Sequence, residues 1–149
     1  MFEIVHTCTD WYDGPRRGIA DYHGQPHFFE SEWSDGEDIY ADTFLLEPID
    51  VATFQLALED WAIWRRWETA FYQGLVAMET HPAMPEERSR HREIEPLLKE
   101  RLVIQPGRAI RKWAEFRVRD DPEWSGLGWR PLEVRWLDAP ASSERTKSN

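Results

Sequence analysis

The sequence predicts an α+β fold: a small antiparallel sheet or partly open barrel packed against a two-helix insertion, with the terminal strands returning to the sheet. Three observations predict it. The first 48 residues are rich in β-formers and punctuated by turn chemistry, residues 51–77 carry apolar side chains at helical spacing, and alternation resumes after Gln105-Pro106-Gly107. At 149 residues, one domain can close a core without metal or disulfide staples. The domain is expected to span residues 1–138, with 139–149 a disordered tail, because that stretch has no apolar anchor.

The strands follow in order. Phe2 to Thr7 reads as a strand, and Asp10 to Pro15 as a loop. Arg17 to His23 and Pro26 to Trp33 flank Gly24-Gln25, where glycine in the first loop position suits a type II′ hairpin. That register sets Tyr22 opposite His27, Ala20 opposite Phe29 and Arg17 opposite Glu32. Ala20, Tyr22, His27, Phe29 and Trp33 then share a core face, and Arg17, Asp21, Glu30 and Glu32 the other. His23 and His27 point to opposite sides and do not pair for a metal. A turn over 34–38 leads to a strand around Ile39 to Leu46, and Ala114, Phe116, Val118 and then Leu132, Val134, Trp136 supply the returning strands.

Between them, Asp50 is placed as N-cap of a helix running from Val51 to about Ala77 and ended by His81-Pro82. A second helix opens at Pro85, is kinked or restarted by Pro96, and carries Ile94, Leu97, Leu98 and Leu102 as its stripe. On the long helix, Phe54, Leu56, Trp61, Ile63, Trp64, Trp67, Phe71 and Leu75 sweep one apolar arc. Asp60 and Glu68 fall inside that arc, about 80° apart around the axis and about 12 Å apart along it. A carboxylate so placed must be paired, hydrogen-bonded or protonated. Arg16, Arg108, His27 and Tyr22 are the expected partners, since the wheel turns Arg65 and Arg66 away from Glu68.

Composition narrows function mainly by exclusion. Net charge is −10, and from Gly18 to Trp64 there are eleven acids and no Lys or Arg, which disfavours conventional nucleic-acid binding. The lone Cys8, a start without the basic region of a signal peptide, and no apolar run of membrane-spanning length give the expectation of a cytoplasmic protein. No phosphate loop, nucleophile elbow or metal-ligand spacing is present, so no cofactor and no metal is expected. Two segments read as scaffold: Asp13 to Arg16 as a turn, and Ser89 to Arg92 as a solvated face.

Three functional expectations remain. The first is a non-catalytic binding or regulatory domain that engages a basic protein partner through an acidic face of Glu30, Glu32, Asp35, Glu37 and Asp38. The second is a small enzyme or ligand binder with Tyr22, His27, Asp60, Trp61, Trp64 and Glu68 around a Trp-lined pocket. The third is an accessory subunit that self-associates into a homo-oligomer through its surplus of aromatics, nine of which are tryptophan. Trp124 and Trp129, in a glycine-containing loop, are the candidates for an exposed recognition surface.

Overall fold

The computed structural model describes residues 1–139. Six antiparallel strands, β1 (Glu3–Trp11), β2 (Pro15–Tyr22), β3 (Gln25–Ser34), β4 (Ile39–Pro48), β5 (Ile110–Val118) and β6 (Leu132–Asp138), close into a barrel in sequence order. Closure comes from β1 against β6, with Glu3 opposite Val134 and Val5 opposite Leu132, so no sheet edge is left open. Helices α1 (Val51–Tyr72) and α2 (Arg88–Arg101) form the insertion between β4 and β5. The expected tail lies, beyond Ala139, outside the described residues. No helix among the described residues is long and apolar enough to cross a membrane.

Strand alternation fills the barrel. Phe29, Phe44, Phe116 and Trp136, one from each of β3 to β6, meet in all six pairwise combinations at ring separations of 5.6–6.1 Å. Val5, Ala20, Leu46, Leu132 and Val134 complete this interior. On the outside of β5 and β6 the register sets Glu115 opposite Arg135 and Arg117 opposite Glu133, and both pairs are bridged.

The β2–β3 register differs from the sequence expectation by two residues. Tyr22 pairs with Gln25 and Arg17 with Glu30, because the loop is His23-Gly24, with both residues at positive φ (52° and 74°), as a type I′ turn requires. A shift of two preserves the faces of Ala20, Tyr22, His27 and Phe29, but Trp33, expected on the core face, is exposed, beyond an irregularity in the β3–β4 pairing between Ser31 and Trp33. Tyr22 still packs on the interior, and its ring lies 5.3 Å from the buried His27 as a diagonal neighbour. Glu32, displaced from Arg17, bonds Arg111 at 2.6 Å instead.

α1 begins as expected, with Thr53 N donating to Asp50 Oδ1 at 2.7 Å. It ends at Tyr72 and not near Ala77. Gly74 at φ 76° closes the helix, its N–H donating to Phe71 O and that of Leu75 to Ala70 O, a pairing that satisfies the terminal carbonyls. Leu75 is therefore outside the apolar arc and exposed. α2 runs through Pro96 as one helix without a restart. The two helices lie side by side, bridged by Glu59–Arg90 and Arg66–Glu87 around a small core of Ile63, Ala83 and Ile94.

Candidate functional site

The hairpin of α1 and α2 covers the outer face of β1–β3, and the seam between them is a cleft of about 450 Å³. Its floor follows from strand period. Ala20 and Phe29 point into the barrel, so Ile19 and Phe28, paired across β2 and β3, point out beneath the helices and are buried. Thr7, Cys8 and Thr9 of β1 extend the floor. The walls are Ala57, Asp60, Trp61 and Trp64 of α1, His91, Glu95 and Leu98 of α2 and Leu102 just after it, with His81 and Pro82 at the lip.

Because the helices are antiparallel, the cleft has a polar end and an apolar end. Asp60 meets His91 across the hairpin, His91 Nδ1 lying 2.7 Å from Asp60 Oδ1. One turn along α2, Glu95 Oε2 lies 3.0 Å from the other ring nitrogen. The imidazole is thus held between two carboxylates; it donates to both only when both nitrogens carry protons, and a neutral ring serves one. Beyond this trio, Ala57, Leu98 and Leu102 face Ile19 and Phe28. The indoles of Trp61 and Trp64 stand 4.9 Å apart and form the side wall. Among the described residues, no Lys or Arg lines this cleft.

Cys8 is not a nucleophile here. Burial pushes its thiol up to about 12, and its Sγ donates to Asp10 O at 3.4 Å, so it packs as a neutral side chain.

The structure divides the six pocket residues expected from the sequence. Asp60, Trp61 and Trp64 come together in the cleft. Tyr22 and His27 lie on the interior face of the strands, opposite to the helices, with His27 Nδ1 2.8 Å from Gln25 O. Glu68 lines neither this cleft nor a second hollow, which is bordered by Trp61, Arg65, Arg119, Trp124 and Trp129, two of them its partners. It is buried, takes a hydrogen bond from Trp129 N at 2.9 Å and pairs with Arg65. None of the partners expected for the two carboxylates is used. Arg65 stands three residues before Glu68, about 60° away on the wheel and within reach of a long side chain. Arg108 instead joins Gln105 N on Glu47, a buried carboxylate that pins the chain after α2.

The acidic face divides as well. Asp35, Glu37 and Asp38 are exposed on the β3–β4 turn, whereas Glu30 lies 3.9 Å from Arg17, and Glu32 holds Arg111 and Thr43. Trp129 is part of the barrel packing, with its ring between Trp11 and Trp61, and Trp124 is half-buried under Arg130. The exposed tryptophans are Trp11, Trp33 and Trp113.

Sequence reasoning missed His91 and Glu95. The signal was spacing: His91, Glu95, Leu98 and Leu102 fall at i, i+4, i+7 and i+11, one stripe of α2. Among the described residues, no group of three or more His, Cys, Asp or Glu side chains is arranged to hold a metal ion. Compared with protein-family models, curated proteins and solved structures, the chain matches none.

Proposed function

We propose that this chain binds a small amphipathic molecule in the cleft between its helical hairpin and the barrel wall. The observation that carries this reading is the division of the cleft, with Asp60, His91 and Glu95 at one end and Ala57, Leu98, Ile19 and Phe28 at the other. Small-molecule sites have this composition: mostly apolar walls with a few convergent polar groups that orient the ligand. An imidazole steadied by a carboxylate is also what general acid–base chemistry asks for. Turnover of the bound molecule is the version of the reading in which His91 exchanges a proton with it.

Docking of a basic protein on the acidic face has weaker support. Glu30 and Glu32 are engaged by arginines of the chain itself, which leaves three acids on one turn.

The test is a small-molecule library screened against the full chain while the tryptophan indole N–H resonances are followed. Binders should shift Trp61 and Trp64 and leave Trp67 in place, since Trp67 is buried and its Nε1 donates to Thr80 Oγ1 at 2.7 Å. A screen in which compounds move only Trp11, Trp33 or Trp113, or move nothing, would refute the reading.

A further inference from the structure

We infer that the ligand of the cleft is an organic cation, a primary or quaternary ammonium whose apolar group packs along the half-buried Leu98 and Leu102. This inference rests on the cleft being the binding site and adds the charge of what it takes. Two independent features of the cleft point the same way.

The first feature is charge. Asp60 and Glu95 line the polar end, and no Lys or Arg lines any part of it among the described residues. The nearby arginines of the hairpin are committed elsewhere: Arg90 to Glu59 and Glu93, Arg66 to Glu87. Between Asp60 and Glu95 stands His91, a single imidazole for two carboxylates. An anionic ligand would meet two carboxylates whose shared imidazole is already engaged by both. A neutral ligand would desolvate Asp60, which is already mostly covered (21 % exposed), and return nothing for its charge. An ammonium offers the missing positive charge, and a primary one adds N–H hydrogen bonds to carboxylate oxygens.

The second feature is the aromatic wall. Helical spacing puts Trp64 one turn on from Asp60, and Trp61 packs 4.9 Å from Trp64, so both indoles line the cleft that the carboxylates line. Indole faces are the most favourable for a cation, and pairing such faces with carboxylates is how quaternary ammonium groups are held. A purely apolar guest would need neither the carboxylates nor indoles in that position.

A charge series on one tail tests the inference: hexyltrimethylammonium, 1-hexanol and hexyl sulfate titrated into the full chain, followed through the Trp61 and Trp64 indole resonances. Hexyltrimethylammonium should bind at least about tenfold more tightly than hexanol, with hexyl sulfate the weakest. Asp60→Asn should remove most of that preference while leaving hexanol unaffected. Should Asp60→Asn fail to fold, Glu95→Gln, at an exposed position, should reduce the preference in the same direction. Equal binding of hexanol and the cation, or tightest binding of the sulfate, overturns the inference while leaving the cleft as a binding site. Failure of all three to move either indole overturns both readings.

Discussion

Glu68 is a latch between the long helix and the segment leading into β6, and its removal should be costly in a graded way. Its carboxylate is buried, takes the Trp129 N–H at 2.9 Å and pairs with Arg65. Gly128, at φ 70°, passes so close that a Cβ there would overlap the carboxylate. Truncation in Glu68→Ala leaves the Trp129 N–H without an acceptor, at about 1–3 kcal/mol for a buried donor. It also leaves Arg65, whose side chain is 21 % exposed, without its counter-charge, a further ~1 kcal/mol in a partly solvated setting. The expected loss is about 2–4 kcal/mol. Glu68→Gln keeps an acceptor oxygen and gives up only the charge, so about 1 kcal/mol should be lost, the difference between a charged and a neutral hydrogen bond. Urea unfolding at neutral pH, extrapolated linearly, reads both values. Two variants within about 0.5 kcal/mol of the parent would refute the latch. Equal losses for Gln and Ala would refute the role assigned to the Trp129 N–H and leave only the charge.

Two further outcomes follow. Cys8 should resist thiol reagents in the native state and react on unfolding. Because burial holds its thiol near 12 against an ordinary 9.0, the native state keeps a proton that the unfolded chain gives up, so stability should fall as pH rises from 9 towards 12. Cys8's share of the fall is at most about 1.4 kcal/mol per pH unit, and the fall should be shallower by that share in Cys8→Ala; a parent and variant with parallel pH profiles would contradict it. A Cβ at Gly18 would overlap the Thr7 carbonyl and sit 2.9 Å from Cys8 Cα, so Gly18→Ala should cost about 2 kcal/mol or more by thermal or urea unfolding. Gly36→Ala, with open space around it, should change stability by less than about 0.5 kcal/mol, and similar losses at both positions would count against the close β1–β2 approach.

Much of the fold was legible because period decides faces. Ala20 and Phe29, or Ala114 and Phe116, announce an interior by alternation alone. Register was less legible, since glycine permits either a Gly-X or an X-Gly loop, and only the left-handed backbone of His23 selects the second. The two-residue shift did no harm to the faces but moved Arg17 from Glu32 to Glu30. At the site, angular position found Asp60, Trp61 and Trp64. It could not show that His27 lies across the thickness of the sheet from them, because that depends on which face the helices cover. His91 was hidden by its neighbours: Arg90 and Arg92 make the segment read as solvated, although the ring itself turns inward to Asp60.

The cleft exists because the molecule has two hydrophobic cores and not one. The closed barrel satisfies its interior with its own six strands, four aromatic rings among them, and needs nothing from the helices. The hairpin satisfies its interior with Ile63, Ala83 and Ile94, and its rims with Glu59–Arg90 and Arg66–Glu87. What remains between them is a seam, where Ile19 and Phe28 from the barrel and Ala57 from α1 are buried, with the half-buried Leu98 and Leu102 beside them. A seam shaped only by packing would be filled by larger side chains, since an open apolar cleft forfeits dispersion contacts on its lining. Here α1 contributes the buried Ala57 to the lining, a small side chain that favours the helix, and the far end carries a histidine between two acids. Small residue, paired indoles and oriented imidazole are the features that support the proposal of a bound ligand.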